Sequence, residues 1–337
     1  MTAPARHPRA HVPGRPDASD AVAGLARAAG ALGRRVVGTP LGLPVRVPLR
    51  ALDAAAAPVR SGIRRNVRRA LGAPARSARR PEPDPDRAFL SPGGVARRVH
   101  GDLPPMVIGG LSALLLQSLH PLAMAGVAEH SNYADDPLGR LRRTAAFVGA
   151  TTFGSVDDAH EAIARVQEVH HRVRGVAPDG RPYSAGDPEL VTWVHVAEVW
   201  SFLRAAERFG ERVVTPEDRD AYLHETAPLA LHLGAEWVPR SVDEVHAYLR
   251  RVRPQLYAGT QAMAARRFLL RGVARTPDDR AVYAVITAAA VGLLPGWARR
   301  ELRLPRPPLV DALVVTPVAR AFCSGLRWAV PPARAGG

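Results

Sequence analysis

The feature that most constrains this chain is a helix-start signal repeated along its length. "SVDD" (155–158) and "SVDE" (241–244) place Ser at an N-cap and an acid three residues on. In that pairing each side chain can satisfy the other residue's backbone N–H. "DPEL" (187–190), "TPED" (215–218) and "TPDD" (276–279) put Asp or Thr at the cap and Pro at the first helical position, where its missing N–H costs nothing. Gly175 and Gly210 each follow a helical run, as C-terminal stops do. No run of β-branched residues alternates with period two for long enough to make a strand. The pattern predicts a single all-α domain over residues 90–335.

Composition separates that domain from what precedes it. The net charge is +15, and every one of the 46 basic residues is Arg. Residues 1–90 hold 17 Arg against 6 acids, so +11 of the excess lies in the first quarter of the chain. Residues 1–85 are rich in Pro, Ala, Gly and Arg and poor in aromatics, a composition that cannot bury enough apolar surface to offset its ordering entropy. A disordered basic arm is expected there. "AVAGLARAAGAL" and "IRRNVRRAL" are its candidate short amphipathic helices, suited to peripheral contact with an anionic membrane. Without interleaved aromatics or a helix-turn-helix pattern, specific nucleic-acid binding is not expected.

A lone cysteine, Cys323, excludes an intramolecular disulfide framework and Cys-rich metal sites, and points to a reducing, cytoplasmic setting. No apolar run follows the N-terminal charges in the manner of a secretory signal. One stretch, "MVIGGLSALLLQSLHPLAMAGVA" (106–128), is long enough to cross a bilayer. Gln117, His120 and Pro121 interrupt its middle, so a buried helix ending near His120 and a second starting at Pro121 are predicted instead.

"VQEVHHRVRG" (166–175) sets two histidines side by side on a helix, where neighbours lie about 100° apart and cannot share a face. Ala159, Ile163, Val166, His170 and Val173 follow spacings of four and three, an apolar seam that includes His170 and turns it inward. His171 falls on the side of Glu168 and Arg172 and faces water. A second helix, "DPELVTWVHVAEVWSFL", carries His195 in an equally apolar setting. On a third, Arg140, Arg143, Thr144 and Phe147 fall on one face, either a solvated stripe or a place for something anionic.

Those segments, with "GGLSALLLQSLHPLAMAGVAEHSNYADDPLGRLRRTAAFVGATTFG" and "LLPGWAR" (293–299), resemble the latex clearing protein (rubber oxygenase) and MpaB-type oxygenase family over residues 95–300. The resemblance implies an all-helical fold with a globin-like core around haem b. It also implies O₂-dependent cleavage of a carbon–carbon double bond in a hydrophobic, isoprenoid-type substrate. By position, His170 is implied as the axial iron ligand, from the family's H-x-x-V-x-G. Arg140 and Thr144 match the R-x-x-(K/R)-T pattern beside the haem, and His195 is a further cofactor-pocket candidate. Arg143 stands where rubber-cleaving members carry a lysine. A guanidinium does not lose its proton to ligate a metal, so Arg143 is read as a hydrogen-bond donor to dioxygen or a propionate. That exchange suggests a small or medium-sized substrate rather than polymer, held by the greasy faces of 111–127. Glu129 is the candidate catalytic base, with a structural partnership to one of the arginines as the alternative.

Two further readings compete. A di-iron carboxylate oxygenase needs paired Glu-x-x-His motifs. Glu168 and His171 make one, but Asp243 and His246 supply only a shorter carboxylate. A non-catalytic helical binder of haem or lipid fits the same pattern. No H-E-x-x-H or G-x-S-x-G occurs to suggest a zinc or serine hydrolase.

Overall fold

The computed structural model describes residues 83–131, 135–271 and 277–330, together with Ala57 and Ser61. The expected arm, with its two candidate helices, lies almost wholly outside the described residues, as does the Thr276 cap. After a short 3-10 turn at Pro85–Arg87 the chain is helical. In order come α1 (Val95–His100), α2 (Leu103–Gln117), α3 (Pro121–His130), α4 (Pro137–Phe153) and α5 (Val156–Arg172). A hairpin of β1 (Arg174–Val176) and β2 (Pro182–Ser184) leads into α6 (Pro188–Phe209), α7 (Pro216–His232) and α8 (Val242–Val252). Then follow α9 (Thr260–Arg271), α10 (Pro277–Leu293), α11 (Gly296–Glu301) and α12 (Pro308–Ala329), the last containing a π-turn at Asp311–Val315.

The helix starts obey the caps read from sequence. Ser155 and Thr215 each accept from the backbone N–H three residues on, and Asp158 and Asp218 return the bond. Asp187 accepts from Glu189 and Leu190. Ser241 accepts from Glu244 N, but the Glu244 carboxylate reaches past the cap to Arg240 N at 2.7 Å, so the second half of that box is displaced by one residue. The long apolar stretch breaks as expected: α2 and α3 meet at 106°, with His120 capping α3.

Two expectations fail locally. The sequence shows no strand, yet β1 and β2 pair antiparallel, with Gly175 opposite Tyr183. Strands of three residues are too short to display an alternation. Nor is Gly175 a helix stop: α5 ends at Arg172 and Val173 is already extended. Gly175 is small because Tyr183 lies over it; a Cβ there would come within 2.6 Å of the Tyr183 hydroxyl and 2.9 Å of the Glu129 carboxylate.

The core is centred on α2 and α6, which pack along much of their lengths, with α10, α7 and α1 around them. Trp193, Leu115, Leu116, Leu119, Leu203 and Tyr222 are fully buried. Gly109 permits the close approach: a Cβ there would sit 3.0 Å from both the Phe202 ring and the Ser201 carbonyl. The apolar face of 111–127 is therefore largely consumed by the core. The cavity at its end, bordered by Pro121 and Met124, holds only about 90 Å³.

Candidate active site

The seam on α5 is built as read. Ala159 and Ile163 are buried, Val166, His170 and Val173 are half-buried, and His171 is exposed. Burial, and next to it the neighbouring His171, hold the His170 imidazole below its ordinary range, so it is neutral at neutral pH. Its Nδ1 is buried without a hydrogen-bond partner. Past His170 the chain turns against α3, where Val173 packs on Ala125 and Tyr183 beside Gly126.

Other candidates gather around that end of α3. Glu129 accepts a hydrogen bond from the Tyr183 hydroxyl, which His130 Nε2 also meets at 3.1 Å. Its structural partner is thus a tyrosine, not one of the arginines. Arg140, half-buried at the start of α4, donates to Ser131 Oγ, joining the two helices. Arg143 lies one turn further on, its side chain 69% exposed. It reaches back 3.4 Å to Asp136, the residue that caps α4. Thr144 is exposed and Phe147 half-buried. Glu129, Arg140 and the end of the His170 helix therefore converge, whereas Arg143 and Thr144 stand on the open turn beside them.

His195 is placed differently. It is 7% exposed in α6, and α5 and α6 are not principal packing neighbours among the described residues. It lies close enough to His100 for the two charges to oppose each other, and burial lowers each to about 4. His100 bridges Thr152 Oγ1 at 2.8 Å and the Tyr222 hydroxyl at 2.9 Å. Burial pushes Glu198, one turn beyond His195, up to about 7. The sequence marks His195 in this interior polar group but not its neighbours His100, Thr152, Glu198 and Tyr222. The i, i+3 pairing of His195 and Glu198 on an apolar helix was their one visible trace.

The di-iron geometry is not formed. Glu168 pairs with Arg172 at 2.7 Å, His246 packs edge-on to Trp200, and no three His, Cys, Asp or Glu side chains among the described residues converge on a metal-sized site. His170, by contrast, offers a neutral imidazole with an unpartnered buried ring nitrogen, the donor type that suits haem iron.

Residues 97–328 match the family model described as "ER-bound oxygenase mpaB/B'/Rubber oxygenase, catalytic domain". The chain belongs to this oxygenase family. The match starts in α1 and ends in α12, so it takes in the whole helical assembly and all six candidate residues. The solved structure of latex clearing protein LCP in the closed state is similar at 17% identity, with a TM-score of 0.49 over 94% of this chain and 84% of that one. No curated protein matches the chain.

Proposed function

We propose that this domain is a haem b-dependent oxygenase that uses dioxygen to oxidise a small or medium-sized hydrophobic substrate, with isoprenoids the first class to test. The observation that carries the reading is His170. In a chain of an oxygenase family, it is the half-buried neutral imidazole at the end of an apolar seam, with a ring nitrogen that no protein group satisfies.

Haem b, when bound, supplies the one-electron and dioxygen chemistry that side chains cannot. The chain's own contribution is placement. The capped helix α5 positions His170, which would hold the haem iron through its imidazole. Arg140, tied to Ser131 where α3 ends, would supply a cation to a propionate. Arg143 is joined to Asp136 by an exposed pair of a kind worth at most about 1 kcal/mol, so it is free in energetic terms to turn toward a bound anion or dioxygen. Leu141 on α4 and Val169 on α5 present exposed apolar surface suited to a hydrophobic substrate. Glu129, bound to Tyr183, is better suited to holding the hairpin against α3 than to acting as a free base.

The test is the absorption spectrum and iron content of purified protein and two variants. His170→Ala should lose the Soret band while His171→Ala keeps it; equal haem retention in both would overturn the assignment. Incubation of reduced protein with short isoprenoids and with latex under oxygen, followed by mass spectrometry, tests the substrate. Carbonyl products from latex alone would refute the size argument. Full haem loading without oxygen consumption would favour a non-catalytic haem binder.

A further inference from the structure

The helix α12 has an outer face that is exposed among the described residues. Among the described residues it is the helix long and apolar enough to cross a membrane, a property the sequence reading assigned only to 106–128. Its inner side packs on α10, α2 and α6 and buries Asp311, Ala319 and Cys323. Asp311 is the only acid in the helix, and it is turned inward onto Arg299, at 2.7 Å, and Arg306. Asp311 opens the π-turn Asp311–Val315, and Leu309 before that turn, Leu313 within it and Val318 after it are all on the exposed side. Leu309 is 66% exposed, Leu313 67%, Val314 56% and Val318 49%. Soluble monomers seldom expose so contiguous an apolar surface.

Further along the same helix, Arg320, Ser324, Arg327 and Trp328 line a cleft of about 780 Å³ whose wall also holds Arg208, Arg212 and Arg219. Arg208 donates to Thr316 Oγ1 and the Gly292 carbonyl, and Arg320 to the Arg208 carbonyl, all neutral acceptors; Arg212 is exposed. Glu207 in the same wall is already paired with Arg204 and Arg219, and Arg327 with Asp102, which leaves Glu211 to oppose Arg208, Arg212 and Arg320.

We propose that the outer face of α12 and its arginine cleft dock the protein onto an anionic lipid bilayer. Leu309, Leu313, Val314 and Val318 enter the boundary between headgroups and acyl chains, and the arginines meet the phosphates. A helix whose other side is packed on protein lies in the membrane plane and does not span it. The charge arrangement selects lipid over a second copy of this chain. A twofold contact through the same face would set each arginine flank near its own image, whereas anionic headgroups complement it. The inference is independent of haem binding.

The experiment uses the full chain carrying an environment-sensitive dye on Leu313→Cys, with Cys323 protected by burial. Added vesicles of phosphatidylcholine, with or without phosphatidylglycerol, should blue-shift and brighten the dye severalfold, more with the anionic lipid. Adding Leu309→Asp and Val318→Asp should abolish the change, and Arg212→Ala with Arg320→Ala should weaken vesicle affinity about tenfold. These side chains are on the surface, so thermal melts should stay unchanged. Vesicle binding through the basic N-terminal residues alone would leave the dye at position 313 unmoved, and that result overturns the proposal. So does a shift that survives both aspartates, or a vesicle-independent shift that tracks dimer formation in light scattering.

Discussion

Helix α6 is buried along most of its length, while one turn of α4 is exposed on every side. Leu141, Arg142, Arg143 and Thr144 are consecutive and all exposed, which covers a full turn of helix. In α6, Trp193, Val196, Ala197, Leu203 and Ala205 are shut away from solvent. The difference teaches a division of labour. The α2–α6 pair forms the buried centre of the fold, whereas this turn of α4 presents Arg142, Arg143 and Thr144 to solvent and buries little. Such an element can be altered for chemistry without unfolding the scaffold.

The sharpest way to break this comparison is Trp193→Ala. Its indole is fully buried and its Nε1 donates to the Gln117 carbonyl at 3.3 Å, so the substitution should cost about 3–5 kcal/mol in a denaturant titration. A loss under 1 kcal/mol would mean that the α2–α6 contact is not the stabilising centre.

Acid should strike the scaffold next. Burial lowers both His100 and His120 to about 4 from an ordinary 6.5. The unfolded chain takes up protons below pH 6.5, while the folded one resists until about 4. Stability from these two groups is therefore complete above 6.5 and is lost as pH falls from 6.5 to 4. The melting temperature should decline across that window, and His100→Gln should flatten the decline.

A smaller effect is expected where α4 hands over to α5. Ser155→Ala removes one half of an intact capping box and should cost about 1 kcal/mol by thermal unfolding. Smallest of all is Arg143→Ala, expected within about 0.5 kcal/mol of the parent in stability. The same variant should change the spectrum of the oxygen-bound ferrous protein, if haem binds as proposed. A large loss of stability would show that α4 belongs to the scaffold after all.

Much of this was legible in the chain. Caps at Ser155, Thr215, Asp187 and Ser241 mark real helix starts because they act through bonds to residues two or three positions away. Pro121 marks the bend because a proline cannot continue the hydrogen bonding of α2. His170 and His171 are told apart by helical period alone. The site was only partly legible. The bonds from Tyr183 to Glu129 and from Arg143 back to Asp136 left no pattern, because side-chain pairing across a turn or between elements has no fixed spacing.

What the sequence determined by itself was local and periodic: where helices begin, where the long apolar run breaks, and which histidine of the pair faces inward. These depend on interactions within a few residues, and such interactions repeat with the geometry of a helix. Only the tertiary structure decided that His195 lies near His100 and that Asp311 turns in while Leu309 and Leu313 turn out. Each of those outcomes depends on which surfaces meet. That is set by the packing of helices far apart in the chain, through burial that no local pattern records.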